Sequence, residues 1–387
     1  MNTRIVSDSK DLIRCSRCVM PETQEPIMFD AEGVCNTCRN LEIKQQKIDW
    51  DARLKQFEEI INQYRGKYQY DCIVPFSGGK DSTYTVWALV KKFGLKPLVV
   101  RYNHHMIRPQ TLRNQEMTIK QLKLDFLEYR TDWDLVKKLM RVSLDRKGDI
   151  YWYQHTGIFC FPMHMAIKFN VPLIIWGEPT AEYAAYYRYD EEEIGDEERF
   201  NYFINLGITA QDMIGFLNDP TVKLADLWAH QFPARKDLQA IECRSICLGT
   251  YTPWDVKAQA KIIQDELGWK GDMVEGVPPE YNYEKIEDML QGVQDYLKYI
   301  KRGYGRMSHL ASIDIRNGRL TREKAMQMVE QWEGRRPGSL DALLKWLNLS
   351  EVEFYEIANR HRVSPWKHDS SQTKRGESLP DQKDWVI

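Results

Sequence analysis

Cys72-Ile-Val-Pro-Phe-Ser77-Gly-Gly-Lys-Asp-Ser82 is the stretch that decides the fold. Ile73, Val74 and Phe76 suit a short strand buried inside a sheet. Pro75 belongs near the end of that strand, because it cannot donate to a ladder. Gly78 and Gly79 let the backbone turn tightly and come close to a ligand. A helix then opens at Ser82. Backbone N–H groups at a helix start, with Lys80 beside them, make a phosphate cradle. Ser77, Gly78, Gly79, Lys80, Asp81 and Ser82 are therefore the candidate nucleotide-binding residues. The spacing is not that of a Walker loop: Val74 stands where its first glycine belongs, and Asp81 follows the lysine.

The chain has 387 residues, enough for two or three domains. It is 43% hydrophobic and 28% charged, the composition of an ordinary globular protein. A net charge of -2 gives no sign of nucleic-acid binding. No apolar run is long enough to span a membrane, and Met1–Lys10 is too polar for a signal peptide. The expectation is a cytoplasmic protein with no membrane partner, whose eight cysteines are ligands or reduced thiols.

Upstream, Cys15-Ser-Arg-Cys18 and Cys35-Asn-Thr-Cys38 are two C-x-x-C pairs. Each places two thiolates on one turn, and two facing turns close a tetrahedral site for structural zinc. Residues 1–40 are read as a zinc ribbon and 41–66 as a linker carrying a helix over Leu41–Tyr64. Residues 67–275 are read as an α/β domain with a parallel sheet, 276–366 as a helical domain, and 367–387 as a polar, disordered tail.

Within the α/β domain, strands are expected at Pro97–Tyr102, Leu124–Tyr129 and Pro172–Trp176, and a last strand and turn over Leu248–Asp255. Helices are expected at Ser82–Phe93, Gln110–Leu122, Asp132–Arg146 and Ile158–Phe169. Asn103, Gly177 and Glu178 fall at carboxyl ends of strands, where open α/β sheets bind ligands. Asn103 suits either a nucleotide contact or a turn. Glu178 suits a magnesium ligand or a solvent-facing loop carboxylate. His155 suits a substrate contact or a cap. Asp190–Glu198 is an acidic run of the kind that forms a solvated surface. Cys243 and Cys247 read as buried free thiols.

Beyond Gly276 helices are expected at Tyr283–Ile300, Leu320–Glu333, Leu340–Leu347 and Glu351–His361. Their basic residues, Arg302 and Arg306 among them, suit either helix surface or a grip on a phosphorylated substrate.

Several motifs coincide across the chain. They are the C-x-x-C pairs around VMPETQEPIMFDAEGVC, SGGKDS, HTGIF…VPLIIWGE, YTPWD and SIDIRNGRLTREKAMQMV. SGGKDS resembles the PP-loop of enzymes that split ATP into AMP and pyrophosphate. The combination, from Arg14 to Trp366, resembles the N-acetyl sugar amidotransferases of bacterial surface-polysaccharide and nonulosonic-acid biosynthesis. That resemblance implies an adenine nucleotide alpha hydrolase-like fold. It also implies conversion of a sugar's acetamido group to an acetamidino group, on a sugar or nucleotide sugar, with ATP and Mg2+. Lys80, Asp81 and Glu178 would be the catalytic residues. Ammonia would come from a separate glutaminase and cyclase-like partner, since no glutaminase unit is evident here. A PP-loop tRNA thiolation enzyme with a zinc module is the alternative, with Cys160, Cys243 or Cys247 handling sulfur.

Overall fold

Five parallel strands make one sheet: β1 (Cys72–Pro75), β2 (Pro97–Asn103), β3 (Asp125–Arg130), β4 (Leu173–Trp176) and β5 (Arg244–Cys247). The computed structural model describes residues 12–179 and 205–385, so the acidic run at 190–198 lies outside the described residues. The spatial order is β3-β2-β1-β4-β5. The chain builds outward from β1 to β3, then returns to lay β4 on the other side of β1. That reversal makes the carboxyl ends of β1 and β4 a switch point, where such sheets leave a crevice for ligands.

Before β4 come α1 (Asn36–Gln46), α2 (Trp50–Asn62), α3 (Lys80–Lys91), α4 (Pro109–Leu122), α5 (Trp133–Lys147) and α6 (Trp152–Phe169). Between β4 and β5 lie α7 (Ala210–Leu217) and α8 (Arg235–Ala240). After β5 come α9 (Val256–Leu267), α10 (Gln291–Arg302), α11 (Arg306–Arg316), α12 (Arg322–Trp332), α13 (Leu340–Trp346) and α14 (Glu351–Arg360). Among the described residues, no helix is long and apolar enough to cross a membrane.

Strands β1 and β4 are apolar on both faces because both faces are covered, whereas the edge strand β3 is largely exposed. Ile73, Leu98, Val100 and Ile174 enter one core with residues of α5 and α6. Cys72, Val74, Val99, Leu173 and Ile175 enter the other with residues of α3 and α9. Both cores continue past residue 276. Leu290, Val293 and Leu297 belong to the first, and Ile286, Met307 and Leu310 to the second. The C-terminal helices thus clasp the sheet from both sides.

Several expected elements are redrawn. The single helix over Leu41–Tyr64 is two helices, α1 and α2. Asp49 starts the second by accepting from the Ala52 N–H at 3.0 Å, which draws its own backbone out of the helical region. The helix expected from Ile158 begins at Trp152, so His155 lies inside α6. The last strand is β5, ahead of Leu248, and Leu248–Thr250 is a single 3-10 turn. The helix expected from Tyr283 begins only at Gln291. Ahead of it, Lys285 takes a positive φ of 46° and the Asp288 carboxylate accepts from the Leu290 N–H at 2.6 Å. The tail is packed: Leu379 is buried, and Asp381 takes both an Nε and an Nη donor of the buried Arg108.

Candidate active site

The glycine turn follows β1 at the switch point. Gly78 has φ +82°, and a Cβ there would meet Thr111 and Gln115 of α4 at 3.1–3.2 Å. The turn is braced by its own serines. The Ser77 and Gly79 N–H groups donate to Ser82 Oγ and Ser77 Oγ, each at 3.2 Å. Trp269 Nε1–H donates to the Gly78 carbonyl at 3.0 Å. Helix α3 then starts at Lys80 with Gly79 as its N-cap and no side-chain cap. An uncapped N-terminus leaves its first N–H groups and the positive end of the helix dipole available to an anion.

Lys80 is only 4% exposed. Its ammonium sits 2.8 Å from Asp81 and 3.0 Å from Glu284, a residue of the segment that precedes α10. Burial works against the charge on Lys80. The carboxylates of Asp81, Glu284, Glu178 and Glu287 outweigh it and hold the ammonium well above the usual lysine range. Glu287 lies against the turn: a Cβ on Gly79 would come 2.7 Å from its Oε2. Thr111 Oγ1–H donates to the Ile286 carbonyl at 2.8 Å and fixes this segment over the turn.

Glu178 follows β4 and joins the same group. Burial, then the neighbouring charge of Asp81, push its carboxyl up to about 8, with Lys80 and Lys285 pulling the other way. Gly177 beside it cannot carry a side chain, because a Cβ would stand 2.5 Å from Thr85 Oγ1 in α3. That contact sets strand β4 tight against the start of α3. Asp81 Oδ1 is buried without a hydrogen-bond partner. An orphaned carboxylate oxygen beside Glu178, at a site with more carboxylates than lysines, fits a hard divalent cation such as Mg2+.

The other candidates have different surroundings. Asn103 is buried; its amide donates to Glu128 at 2.7 Å and its oxygen accepts from the His105 N–H at 2.8 Å. Both ends are engaged within the chain, the arrangement that the turn reading of this asparagine expects. Arg302 donates to the Thr23 carbonyl and Glu25, binding the ribbon to α10. Arg306 is paired through two nitrogens with Asp295, each at 3.1 Å. It lines a cavity of about 80 Å³ with Tyr296, Tyr299 and Trp332. Each arginine is thus paired within the chain, Arg302 with the exposed Glu25 and Arg306 with the buried Asp295. His155 packs edge-on against Tyr151, and burial brings its imidazole down to about 4, so it is neutral near pH 7. Cys243 and Cys247 form no disulfide among the described residues.

Glu284 and Glu287 were not foreseen. Their spacing, with Tyr283, Ile286 and Leu290, also suits a helix face, and nothing local distinguishes the two carboxylates from a solvated stripe.

The four cysteines of the ribbon are buried, and their sulfurs all lie within 4.8 Å of one another. Cys18 and Cys35 Sγ are 3.8 Å apart. A tetrahedron with metal–sulfur bonds of about 2.3 Å has edges of about 3.8 Å, so the donor set fits one zinc-like ion with a closed shell. Backbone N–H groups of Cys18 and Cys35 point at Cys15 Sγ at 3.4 and 3.2 Å, as a thiolate centre requires. The ribbon is seated on the C-terminal helices: Arg322 donates to the Cys15 and Cys18 carbonyls, and the Val19 N–H to Ser312 Oγ. On its other side Lys44 of α1 donates to the Trp254 carbonyl at 3.1 Å, and Trp254 packs beside Gly177.

The chain is similar in part to several known proteins. One curated relative, an uncharacterized protein, MJ1599, of Methanocaldococcus jannaschii, is 28% identical over 123 residues. The match covers 31% of this chain and 44% of that protein, so the chain spans less than half of the relative's length. Among solved structures, the U34-tRNA thiolase NcsA of Methanococcus maripaludis, described with its [4Fe-4S] cluster, is 12% identical with a TM-score of 0.31. That likeness covers 92% of this chain and 99% of NcsA. NMN synthetase of Francisella tularensis is 11% identical with a TM-score of 0.30, over 79% of this chain and 98% of that one. NAD+ synthetase of Burkholderia pseudomallei is 13% identical with a TM-score of 0.23, over 59% and 91%. Residues 275–379 match the family described as LPS biosynthesis protein WbpG-like, C-terminal domain. That stretch contains Glu284, Glu287, Arg302 and Arg306. The match supports the family resemblance carried by the sequence motifs: residues 275–379 are similar to the C-terminal domain of the WbpG-like LPS biosynthesis proteins.

Proposed function

We propose that this protein is an ATP-dependent, AMP-forming amidotransferase that turns the acetamido group of a sugar or nucleotide sugar into an acetamidino group. The observation that carries it is Lys80, buried between Asp81 and Glu284 at an uncapped helix N-terminus on the sheet's switch point. Such a turn holds phosphates through backbone N–H groups, and its lysine neutralises charge that builds on a leaving pyrophosphate.

An amide carbonyl resists ammonia until its oxygen becomes a good leaving group. In the proposed reaction that oxygen attacks the α-phosphorus of ATP, releasing pyrophosphate and leaving an imidate adenylate. Ammonia then adds to the imidate carbon, and AMP departs with the former amide oxygen. The N–H groups around Gly78–Ser82 hold the departing pyrophosphate, and Lys80 donates to it. Asp81 and Glu178 would hold Mg2+, which supplies the positive charge that a carboxylate-rich pocket needs to accept ATP. The four cysteines would hold structural zinc, which orders the ribbon and takes no part in the chemistry. The ribbon seats the C-terminal helices, and these in turn carry Glu284 to Lys80. A partner glutaminase and cyclase-like pair would deliver the ammonia.

The test uses acetamido sugars labelled with 18O at the amide. Incubation with ATP, magnesium and ammonium should give AMP that carries the label and a sugar lighter by about 3 Da after loss of 18O and gain of NH. Unlabelled AMP, or AMP formed only with tRNA, would remove this reading.

A further inference from the structure

One residue beyond Glu287 lies a buried polar group that the steps above do not use. Asp288 is 3% exposed. Its Oδ1 accepts from the Leu290 N–H at 2.6 Å and its Oδ2 from Gln154 Nε2 at 2.8 Å. His104 Nδ1 stands 3.8 Å from Oδ2, beyond hydrogen-bond reach. Burial leaves that imidazole neutral, down to about 3, and it holds the Asp288 carboxyl up at about 6. The carboxylate therefore has no cationic partner among the described residues around it.

Two neighbouring side chains carry buried polar atoms that meet nothing. They are His104 Nδ1 and Gln154 Oε1, on residues 5% and 7% exposed, while the buried Tyr151 hydroxyl is turned to the Asp288 carboxylate itself. His104 lies one residue past β2, and Tyr151 and Gln154 form the entry of α6, so two separate elements bring orphaned atoms to one carboxylate. Each orphan has given up its hydration without a replacement, and all four side chains can accept a hydrogen bond. The group lacks donors and one positive charge. A small cation with several N–H donors supplies both.

From this convergence of orphaned acceptors on Asp288, beside the glycine turn, we infer that His104, Tyr151, Gln154 and Asp288 form an ammonium site. The site supplies the nitrogen for the amidine. This inference rests on the proposed amide-to-amidine reaction. Ammonium gives one proton to the Asp288 carboxylate and becomes ammonia. Its nitrogen lone pair forms the C–N bond at the imidate carbon. The C–O bond to AMP then breaks, with its electron pair remaining on the AMP phosphate. Glu287 touches the turn that holds the nucleotide, and Asp288 adjoins it in the chain, so the same short segment serves both halves of the reaction.

Two measurements test the site. The first is melting of the purified chain in ammonium chloride against sodium, potassium and methylammonium chloride at equal ionic strength. Ammonium should raise the melting temperature above the other three, and Gln154→Leu and Asp288→Asn should each erase the difference. The second is the ammonium dependence of AMP formation. Gln154→Leu, which keeps side-chain volume, should raise the KM for ammonium about tenfold or more and leave the KM for ATP within twofold. Equal stabilisation by potassium, or an unchanged ammonium KM in Gln154→Leu, would overturn the assignment and leave ordered water as the occupant. If no acetamido sugar yields AMP at saturating ammonium, the reaction reading falls, while the melting comparison still decides whether the site binds ammonium.

Discussion

The ribbon around Cys15–Cys38 and the turn at Ser77–Ser82 are both short, irregular stretches of backbone, and they are held in opposite ways. The ribbon has a cluster of little beyond the cysteines, Met20, Val34 and Tyr304 to bury. Its shape depends on four sulfurs meeting one ion. The turn has a strand on one side and a helix on the other, both rooted in the core, and its ligand groups are backbone N–H groups that exist in any case. Their second supports also differ. The ribbon's come from arginine guanidinium groups on its carbonyls. The turn's come from carboxylates brought in by the segment before α10. One region is therefore arranged to close around a cation and the other to receive an anion, although both rest on the same C-terminal helices.

The largest expected effect breaks the turn. Lys80→Met should lower pyrophosphate release at least a hundredfold, the loss typical for removing a group that meets developing charge. Its circular dichroism should stay native. A variant that is folded and keeps more than a tenth of the rate would show that the turn's N–H groups suffice without the lysine.

Next comes the ribbon. Cys35→Ser should abolish the single metal ion per chain measured by mass spectrometry and expose the ribbon to proteolysis. ATP affinity should fall only a few-fold, through the Lys44–Trp254–Gly177 contacts. A collapse of ATP binding would mean that the two regions are one unit. A third change probes what they share. Glu284→Gln should cost about tenfold in kcat/KM for ATP, less than Lys80→Met, because Asp81 still holds the ammonium.

These regions also differ in how far they could be read ahead of the structure. C-x-x-C pairs and SGGKDS state their chemistry within a few residues, because thiolate spacing and glycine freedom are local demands. Gly177–Glu178 was legible one step further, through the rule that ligands gather at strand ends. Glu284, Glu287 and Asp288 were not. Tyr283, Ile286, Leu290, Val293, Leu297 and Ile300 keep a helical spacing straight through that segment. What stops the helix is tertiary: the Ile286 carbonyl is taken by Thr111, the Met289 N–H by the Met106 carbonyl, and Asp288 by Gln154. The contacts of Asn103, Arg302 and Arg306 were hidden for a related reason. Each has an internal partner that only the folded chain brings near.

The smallest expected effect is a pH slope, and it isolates Glu178 from its neighbours. Burial and Asp81 raise its carboxyl to about 8 in the folded chain, against about 4.3 when unfolded. Between those values the native state holds a proton that the unfolded state has lost. The native state thus binds more protons, and stability falls as pH rises through that window. The contribution is complete below about 4.3 and gone above about 8. Asp288 and Glu275, raised to about 6 and about 7, slope the same way, while the neutral His104 and His155 slope the opposite way below their unfolded value. The total is therefore uninformative, and the comparison must be made with Glu178→Gln. That variant should melt with a shallower fall between pH 5 and 8, by an amount that solvent trims because Glu178 is only half-buried. Saturating Mg2+ should shrink the same difference, since a cation held by Asp81 and Glu178 displaces the proton. Parallel slopes for the two proteins, with and without Mg2+, would detach Glu178 from the turn and leave Asp81 and Glu284 as the carboxylates that matter there.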